Sequence, residues 1–561
     1  MSTPSLFFEK GTAMQRLATT AQMKELDRAA IQDRGIPSLE LMETAAKAVV
    51  ETVLELLGDR TKIASAVGLI VSGEADTPEE QEELQQLRAI VETKNTEPTA
   101  RVAIFCGPGN NGGDGIAAAR LLRKEGVSVR AFLVGDRRKM TPDANAMEER
   151  LIAAGGKLED YVPGNKGQWA WIATCDCMVD AIFGVGLQRA VEGDFLFAIQ
   201  QMNGSANAHC PVVACDVPSG VNGDTGEILG DAVRASVTVT FSCAKPGLYL
   251  GEGGPCAGQV RVVDIGIPSE LISQQIGRQA EVPMVMGWED CGLPRRPRTA
   301  HKGDFGKVFI LAGSEGYTGA PVLASKAAVR TGAGLVYLGV PREIYPIAAV
   351  KCDEAMPFPL PEDYGSILEK ARGCDVALIG PGLGRAPETE ELVCRLLADL
   401  DIPVVLDADG INALSGHIDV LDRRAAATVL TPHDGEFQRL TGCALPIRDR
   451  LAAARTFAKA HRCTLVLKGH GTVTAAPDGR SWINTTGNPG MAKGGSGDVL
   501  AGMTAALLGQ KHLEGDIPRR SALAVCLHGW AGDACAGELG EYAMTPSDLI
   551  EALPRVLREE P

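Results

Sequence analysis

RVAIFCGPGNNGGDG, residues 101–115, decides the fold of the first half of the chain. The apolar run VAIFC breaks into a glycine loop, and the loop opens GIAAARLLRKEG, whose apolar residues recur at helical spacings of three and four. A second apolar run, VSVRAFLVG, follows at once. Strand, tight turn, helix and strand again indicate a parallel sheet with helical crossovers. The alternation continues through CMVDAIFGVG and PVVACDVPSG and ends near VRVVDIGIP. Upstream, MKELDRAAI and LELMETAAKAVVETVLELL read as helices between Leu17 and Leu57, followed by an acid-rich surface insertion at about 72–97.

Between Ser269 and Arg298 the alternation is lost, and a second series then starts: KVFILAG, GLVYLGVP, DVALIGPGLG, IPVVLDADG, AATVLTPHDGE and CTLVLKGHGT, closing on the helix DVLAGMTAALLG. The expected organisation is a Rossmann-like three-layer α/β domain over 1–280, a linker over 281–300 and a second α/β domain over 301–561. In such sheets ligands bind outside the carboxyl ends of the strands.

Composition narrows the function. At 561 residues the chain is long enough for two to four domains, and 45% hydrophobic with 22% charged residues is ordinary for a globular protein. A net charge of −16 disfavours nucleic acid and anionic membrane as partners. No apolar stretch reaches the roughly 18 residues of a membrane span, and the N-terminus has no basic region followed by an apolar one, so a cytoplasmic address is expected. The 15 cysteines form no CxxC pair, and even Cys175 and Cys177 read as ordinary reduced thiols. The 65 glycines are the departure, and they suggest loops that turn tightly or approach a ligand closely.

Gly107, Gly109 and Gly112 satisfy G-x-G-x-x-G, with Asp136 some 20 residues on, which taken alone is the dinucleotide fingerprint of a dehydrogenase. Asn110, Asn111 and Asp114 argue otherwise. A pyrophosphate wants bare N–H groups, whereas two amides and a carboxylate suit hydroxyls, carboxamides or a cation. Asp180, inside an apolar run, and Asp216 with Ser219, where a strand gives way to a loop, point to the same pocket.

The phrases NNGGDG, DAIFGVG and DVPSG resemble the NAD(P)H-hydrate epimerase family over about 17–275. The resemblance implies potassium ligands at Asn111, Asp180 and Ser219, an all-oxygen set suited to a hard cation. It implies substrate contacts at Asn110, Asn111, Gly112, Gly113 and Asp114, at Gly184, Val185, Gly186, Leu187, Gln188, Arg189 and Ala190, and at Asp216, the last assisting proton movement.

In the second half, AKGGSGD places Gly494, Gly495, Ser496 and Gly497 before Asp498, which opens an Ala- and Leu-rich helix. Consecutive N–H groups at a helix N-terminus form an anion hole, and Asp498 has the chemistry of a general base, with a plain N-cap as the alternative. No GxxxxGK[ST] occurs. Lys493 either adds charge near a phosphate or points to solvent. This phrase resembles the ribokinase-like superfamily. With HKGDFGKVFILAG, GPGLG, LDADGINAL, TPHDGEF and KGHGT in order, it resembles the ADP- or ATP-dependent NAD(P)H-hydrate dehydratases over about 295–555. The resemblance implies hydrate contacts at Ala320, Gly382, Gly384, His433 and Asp498. It implies a nucleotide site at Lys468, Gly469, His470, Gly471 and Thr472 and at Gly494 to Gly497, with Mg²⁺ accompanying the nucleotide.

Together these imply repair of hydrated NADH and NADPH, by epimerisation and then nucleotide-driven dehydration. The expected partners are those substrates, ADP or ATP, and further copies of the chain in a homo-oligomer. The competing readings are a vitamin-precursor or small-alcohol kinase with a non-catalytic first domain, and a Rossmann dehydrogenase.

Overall fold

The computed structural model describes residues 14–58, 100–206, 210–276 and 282–557. The acidic insertion expected at 72–97 lies outside the described residues. The chain divides into two compact units, Arg16–Gln279 and Ala280–Pro561, the second also taking Met1–Gln15.

In the first unit seven parallel strands lie in the spatial order Leu158–Asp160, Ser128–Leu133, Arg101–Cys106, Cys177–Ala181, Val212–Cys215, Val237–Phe241 and Gln259–Val263. The order reverses between Arg101–Cys106 and Cys177–Ala181, and this switch point is where an α/β sheet opens a crevice. Phe105, Val179 and Val213 are wholly buried, as a central parallel strand covered on both faces requires. Gly107 and Gly112 of GPGNNGGDG serve packing. A Cβ at Gly107 would stand 2.0 Å from the Ile182 carbonyl oxygen, and one at Gly112 would stand 1.7 Å from that of Gly107. The helix Asn110–Lys124 therefore starts hard against the sheet.

The second unit repeats the order: Met356–Pro359, Leu335–Val340, Lys307–Leu311, Val376–Ile379, Val404–Leu406, Thr428–Leu430 and Thr464–Leu467, all parallel. Val473–Ala475 and Ser481–Ile483 then join antiparallel. The stretch expected as a linker instead supplies the strand Met284–Val285 beside Ser481–Ile483, and buries Met286 and Cys291 in this unit's core. The helix Ser496–Gly509 is buried on nearly every side, which is why its sequence lacks a polar face. It crosses Gly319–Arg330 so closely that a Cβ at Gly502 would stand 2.1 Å from the Ala324 carbonyl oxygen. All 15 cysteines are free thiols.

Candidate active sites

At the first unit's switch point a cavity of about 690 Å³ opens between the strand ends and the helices Thr20–Arg28 and Ser38–Leu57. Of the expected contact residues, Asn110, Asn111, Asp114, Gly184 to Arg189 and Asp216 line it. A Cβ on Gly184 would stand 3.2 Å from both Asn111 Oδ1 and Asp216 Oδ2, so three loops distant in sequence converge here. Ala190 is exposed and outside the lining, and Gly112 and Gly113 face Gly107 and Met42 rather than the cavity. Asp136, the acidic residue of the dinucleotide fingerprint, caps the turn Arg137–Lys139 and pairs with Arg138 instead of entering the cavity.

Asp216 adopts φ +66°, a left-handed backbone that a non-glycine residue holds only when its surroundings insist. They do so through Lys245, which is 0% exposed. Its ammonium donates to Asp216 Oδ1 at 2.5 Å, Thr240 Oγ1 at 2.9 Å and the Phe241 carbonyl at 3.2 Å. Two further carboxyls face the same cavity. Burial and the Asp216 charge push Asp27 up to about 6, with Lys245 pulling the other way. Burial, then the charges of Asp216 and Asp27, hold Asp114 well above the ordinary range.

Asp180 and Ser219 lie outside the cavity lining. Asp180 is wholly buried and accepts from Ser219 Oγ at 2.6 Å, Ser219 N at 2.7 Å and Ile182 N at 3.2 Å. Burial pushes its carboxyl up to about 6 even though those bonds oppose the shift. No cationic side chain pairs with it among the described residues, and Asn111 Nδ2 is buried without a partner. A carboxylate, a hydroxyl and an amide with no counter-charge fit a monovalent cation held by oxygen.

In the second unit the charged groups gather at successive strand ends. Asp407, 2% exposed, accepts from Lys468 Nζ at 2.8 Å and from Thr431 Oγ1 at 2.7 Å. The ammonium lies 3.3 Å from where Gly497 would carry a Cβ, so it reaches the first turn of Ser496–Gly509. Asp498 stands beside it. Burial and the Asp407 carboxylate push Asp498 up to about 7, while Lys468 opposes the shift. Lys468 itself is held above its ordinary value: burial works against the charge, but Asp407 and Glu436 outweigh it.

His433 caps Asp434–Thr441, accepting from Gly435 N at its Nδ1, while its backbone bridges to Lys468. The buried Glu436 carboxylate accepts from His433 N at 2.9 Å. At this sheet's own switch point, Gly382 meets Ala320, their Cβ positions 3.1 Å apart, and Gly384 N donates to Asp409 Oδ2 at 2.9 Å. The turn Asp407–Gly410 joins both groups, since a Cβ on Gly380 would stand 1.8 Å from the Asp407 carbonyl oxygen. Its Ala408 is left-handed at φ +50°, the counterpart of Asp216. In the Lys468–Thr472 loop, Gly469 N donates to Thr472 Oγ1 and that hydroxyl donates back to the Gly469 carbonyl. In the glycine loop before Asp498, Gly494 has open space around it, whereas Ser496 N is already bonded to the Lys493 carbonyl. Lys493 clamps the carbonyls of Tyr542 and Met544 at 2.7 and 2.5 Å, so it is neither free in solvent nor turned to a phosphate.

Residues 38–247 match the family described as YjeF-related protein N-terminus, and 308–555 the family described as NAD(P)H-hydrate dehydratase. A bifunctional NAD(P)H-hydrate repair enzyme of Moorella thermoacetica is 40% identical over 556 residues, covering 97% of this chain and 96% of that protein. The chain belongs to the bifunctional NAD(P)H-hydrate repair enzyme family. The family member of Escherichia coli is 36% identical over 463 residues, covering 82% of this chain and 85% of its own. Among solved structures, the ADP/ATP-dependent NAD(P)H-hydrate dehydratase of Bacillus subtilis, co-crystallised with ATP and Mg²⁺, is 33% identical with a TM-score of 0.41. That likeness covers 48% of this chain and 94% of the Bacillus chain. Among the described residues, no helix is long and apolar enough to cross a membrane.

Four residues of these sites escaped the reading of the sequence. Asp407 ends an apolar run in VVLDADG just as Asp216 does in VVACDVPSG, so the same signal was available. Glu436 sat unremarked in TPHDGE, and Lys245 interrupts the apolar FSCAKPG, where an isolated lysine calls for a buried partner. Asp27 carries no local signal, because MKELDRAAI is an ordinary amphipathic helix.

Proposed function

We propose that the unit Arg16–Gln279 interconverts the R and S forms of hydrated NADH and NADPH, and that the unit Ala280–Pro561 dehydrates the S form at the expense of ADP or ATP. The observation that carries this reading is Asp498 at the N-terminus of a buried helix, facing the Asp407–Lys468 pair. A carboxyl near 7 can take a hydroxyl proton at neutral pH, and helix N–H groups with an ammonium beside them favour the charge of a transferring phosphoryl group. In the proposed reaction Asp498 removes the C6 hydroxyl proton and the oxygen attacks the terminal phosphorus. The nucleotide leaves one phosphate shorter. The C6–O bond then breaks with phosphate as leaving group, the C5 proton is lost, and the C5=C6 double bond of the dihydronicotinamide returns.

Mg²⁺ is assigned to the nucleotide as its counter-ion. In the first unit, Asn111, Asp180 and Ser219 would hold a potassium ion, which supplies the positive charge the Asp180 carboxylate lacks and orients the Asn111 amide. Ala320, Gly382, Gly384 and His433 are assigned to the hydrate, and Lys468 to Thr472 with Gly494 to Gly497 to the nucleotide.

The test supplies purified protein with mixed R and S NADHX, Mg²⁺ and either ADP or ATP, and follows recovery of the NADH absorbance. The wild type recovers the whole mixture with one or both nucleotides, and Asp498→Asn does so about 10²–10⁴-fold more slowly. Recovery at the wild-type rate by that variant, or none by the wild type, refutes the proposal.

A further inference from the structure

The epimerase reading gives Asp216 a role but leaves Asp27, on the helix that lines the same cavity, without one, although inversion of C6 demands a second proton-transferring group. Inverting C6 requires the hydroxyl to depart from one face and water to arrive at the other. The departing oxygen needs a proton, and the arriving water must lose one. Because the reaction runs in both directions, a proton-transferring group is needed on each side of the carbon, acting as acid in one direction and base in the other.

Asp216, anchored by Lys245 at a strand end, supplies one such group. Asp27 comes from another element, the helix Thr20–Arg28, and lines the same cavity with Met23 and Lys24. That helix is held firmly. Thr19 and Gln22 form a capping box, Thr20 N and Oγ1 both donate to the Asp224 carboxylate at 2.7 Å, and Ala18 N bonds the carbonyl of Ala244, next to Lys245. Asp27 accepts no hydrogen bond and makes no ion pair among the described residues, so its carboxyl is not committed to structure. Asp114, 9% exposed and equally without a hydrogen bond, sits deeper, where its charge is felt by Cys106 and Cys215 behind the cavity.

We propose that Asp27 is a catalytic residue of the epimerisation, the proton-transferring partner of Asp216 across the C6 carbon. The inference rests on the epimerase reading of this cavity. In the direction that begins at Asp27, its carboxylic acid protonates the C6 hydroxyl. The C6–O bond breaks, water leaves, and the N1 lone pair forms a C6=N1 iminium. A water on the other face attacks C6, restoring the N1 lone pair, and Asp216 takes its proton. Solvent exchange returns both carboxyls to their starting states, and the reverse direction exchanges their parts. That burial and the Asp216 charge leave Asp27 partly protonated near neutrality agrees with this division.

The test measures R-to-S conversion of NADHX by the full chain without nucleotide, the epimers being separated chromatographically. Asp27→Asn should lower kcat about 10²-fold or more with KM changed less than threefold, while dehydration of pure S NADHX with nucleotide is unaffected. Asp27→Glu should recover part of the lost rate, which a packing role would not predict. In H₂¹⁸O the wild type should incorporate one solvent oxygen at C6 per inversion. If the wild type inverts C6 but Asp27→Asn does so at the same kcat, or only KM rises, Asp27 has no catalytic part. Inversion that retains the original C6 oxygen also overturns the inference, leaving the epimerase reading intact. A wild type that does not invert C6 overturns both.

Discussion

Replacing Lys245 with methionine should damage the first unit far more than removing the aspartate and lysine together. The ammonium is wholly buried and its three hydrogen bonds use all three protons. Lys245→Met fills nearly the same volume but leaves the Asp216 carboxylate, itself 7% exposed, without its cation and reached by water only from the cavity side. Breaking a buried pair from one side costs about 3–5 kcal/mol, most of it the unpaired charge. Asp216→Asn should cost a similar amount, because it strands the ammonium. The double variant carries no buried charge. Its cost is that of hydrogen bonds rearranged around Thr240, about 1–3 kcal/mol, against roughly 6–10 kcal/mol for the sum of the singles.

The assay is scanning calorimetry of the full chain, with the first unit's transition identified in the wild type by the temperature at which epimerisation is lost. For a unit of this size about 1 kcal/mol moves the midpoint by roughly 2–4 °C, so each single variant should fall by roughly 6–20 °C and the double by less than either. The second unit's transition should not move. Single costs that add in the double variant to within about 0.5 kcal/mol would refute the coupling. So would a Lys245→Met midpoint within 2 °C of the wild type, since that would mean the Asp216 carboxylate needs no cation.

Asp498→Asn should remove dehydration by about 10²–10⁴-fold and also stabilise the second unit. A carboxyl near 7 when folded and near 3.8 when unfolded binds its proton more tightly in the native state, so stability falls as pH rises from about 4 to 7 and is then level. The asparagine variant should match the wild type near pH 4 and exceed it by about 2–4 kcal/mol at pH 8 in urea titrations. For the same reason wild-type kcat/KM for S NADHX should rise through pH 7, and a flat profile between pH 6 and 8 would contradict Asp498 as base. Gly112→Ala forces a Cβ to within 1.7 Å of the Gly107 carbonyl and should cost about 3 kcal/mol or more, whereas Gly494→Ala meets nothing within 4 Å and should leave urea stability unchanged while raising the nucleotide KM. Exchanging potassium for choline should lower the first unit's midpoint, by an amount corresponding to about 2.7 kcal/mol if the ion is normally at 100 times its Kd. Asp180→Asn should abolish that dependence, and an unaltered dependence would place the cation elsewhere.

The alternation of apolar runs with glycine loops made the parallel sheets legible, because a strand buried on both faces has no polar face to disguise it. The strand-end polar residues were legible for a related reason: Asp180 and Asp216 stand out only against the apolar runs that precede them. Glycine was read less well. In GPGNNGGDG the sequence suggested approach to a ligand, but Gly112 is needed against the Gly107 carbonyl and Gly107 against Ile182, the latter a contact between segments 75 residues apart that no local pattern discloses. Lys493 was ambiguous for the same reason, since the carbonyls that hold it lie at Tyr542 and Met544. Asp27 was invisible because a helical carboxylate is ordinarily a solvated one, and only the fold turns it toward a cavity.

Both units use one strand order, with the reversal beside the first strand of each sheet, yet they arrange charge along it differently. In the first, the polar residues crowd the reversal itself, at Asn111, Gly184 and Asp216, and a single buried ammonium offsets several carboxyls. That arrangement suits proton transfer at C6, where carboxyls of differing affinity are wanted. In the second, the small residues Ala320, Gly382 and Gly384 meet at the reversal, while Asp407, Lys468 and Asp498 stand at strand and helix ends farther along the sheet. In the proposed reaction a bulky substrate lies over the small residues with one hydroxyl reaching the charged end, where the helix N-terminus would meet the phosphate. The shared topology fixes where a ligand can enter. The chemistry follows from which strand ends carry charge.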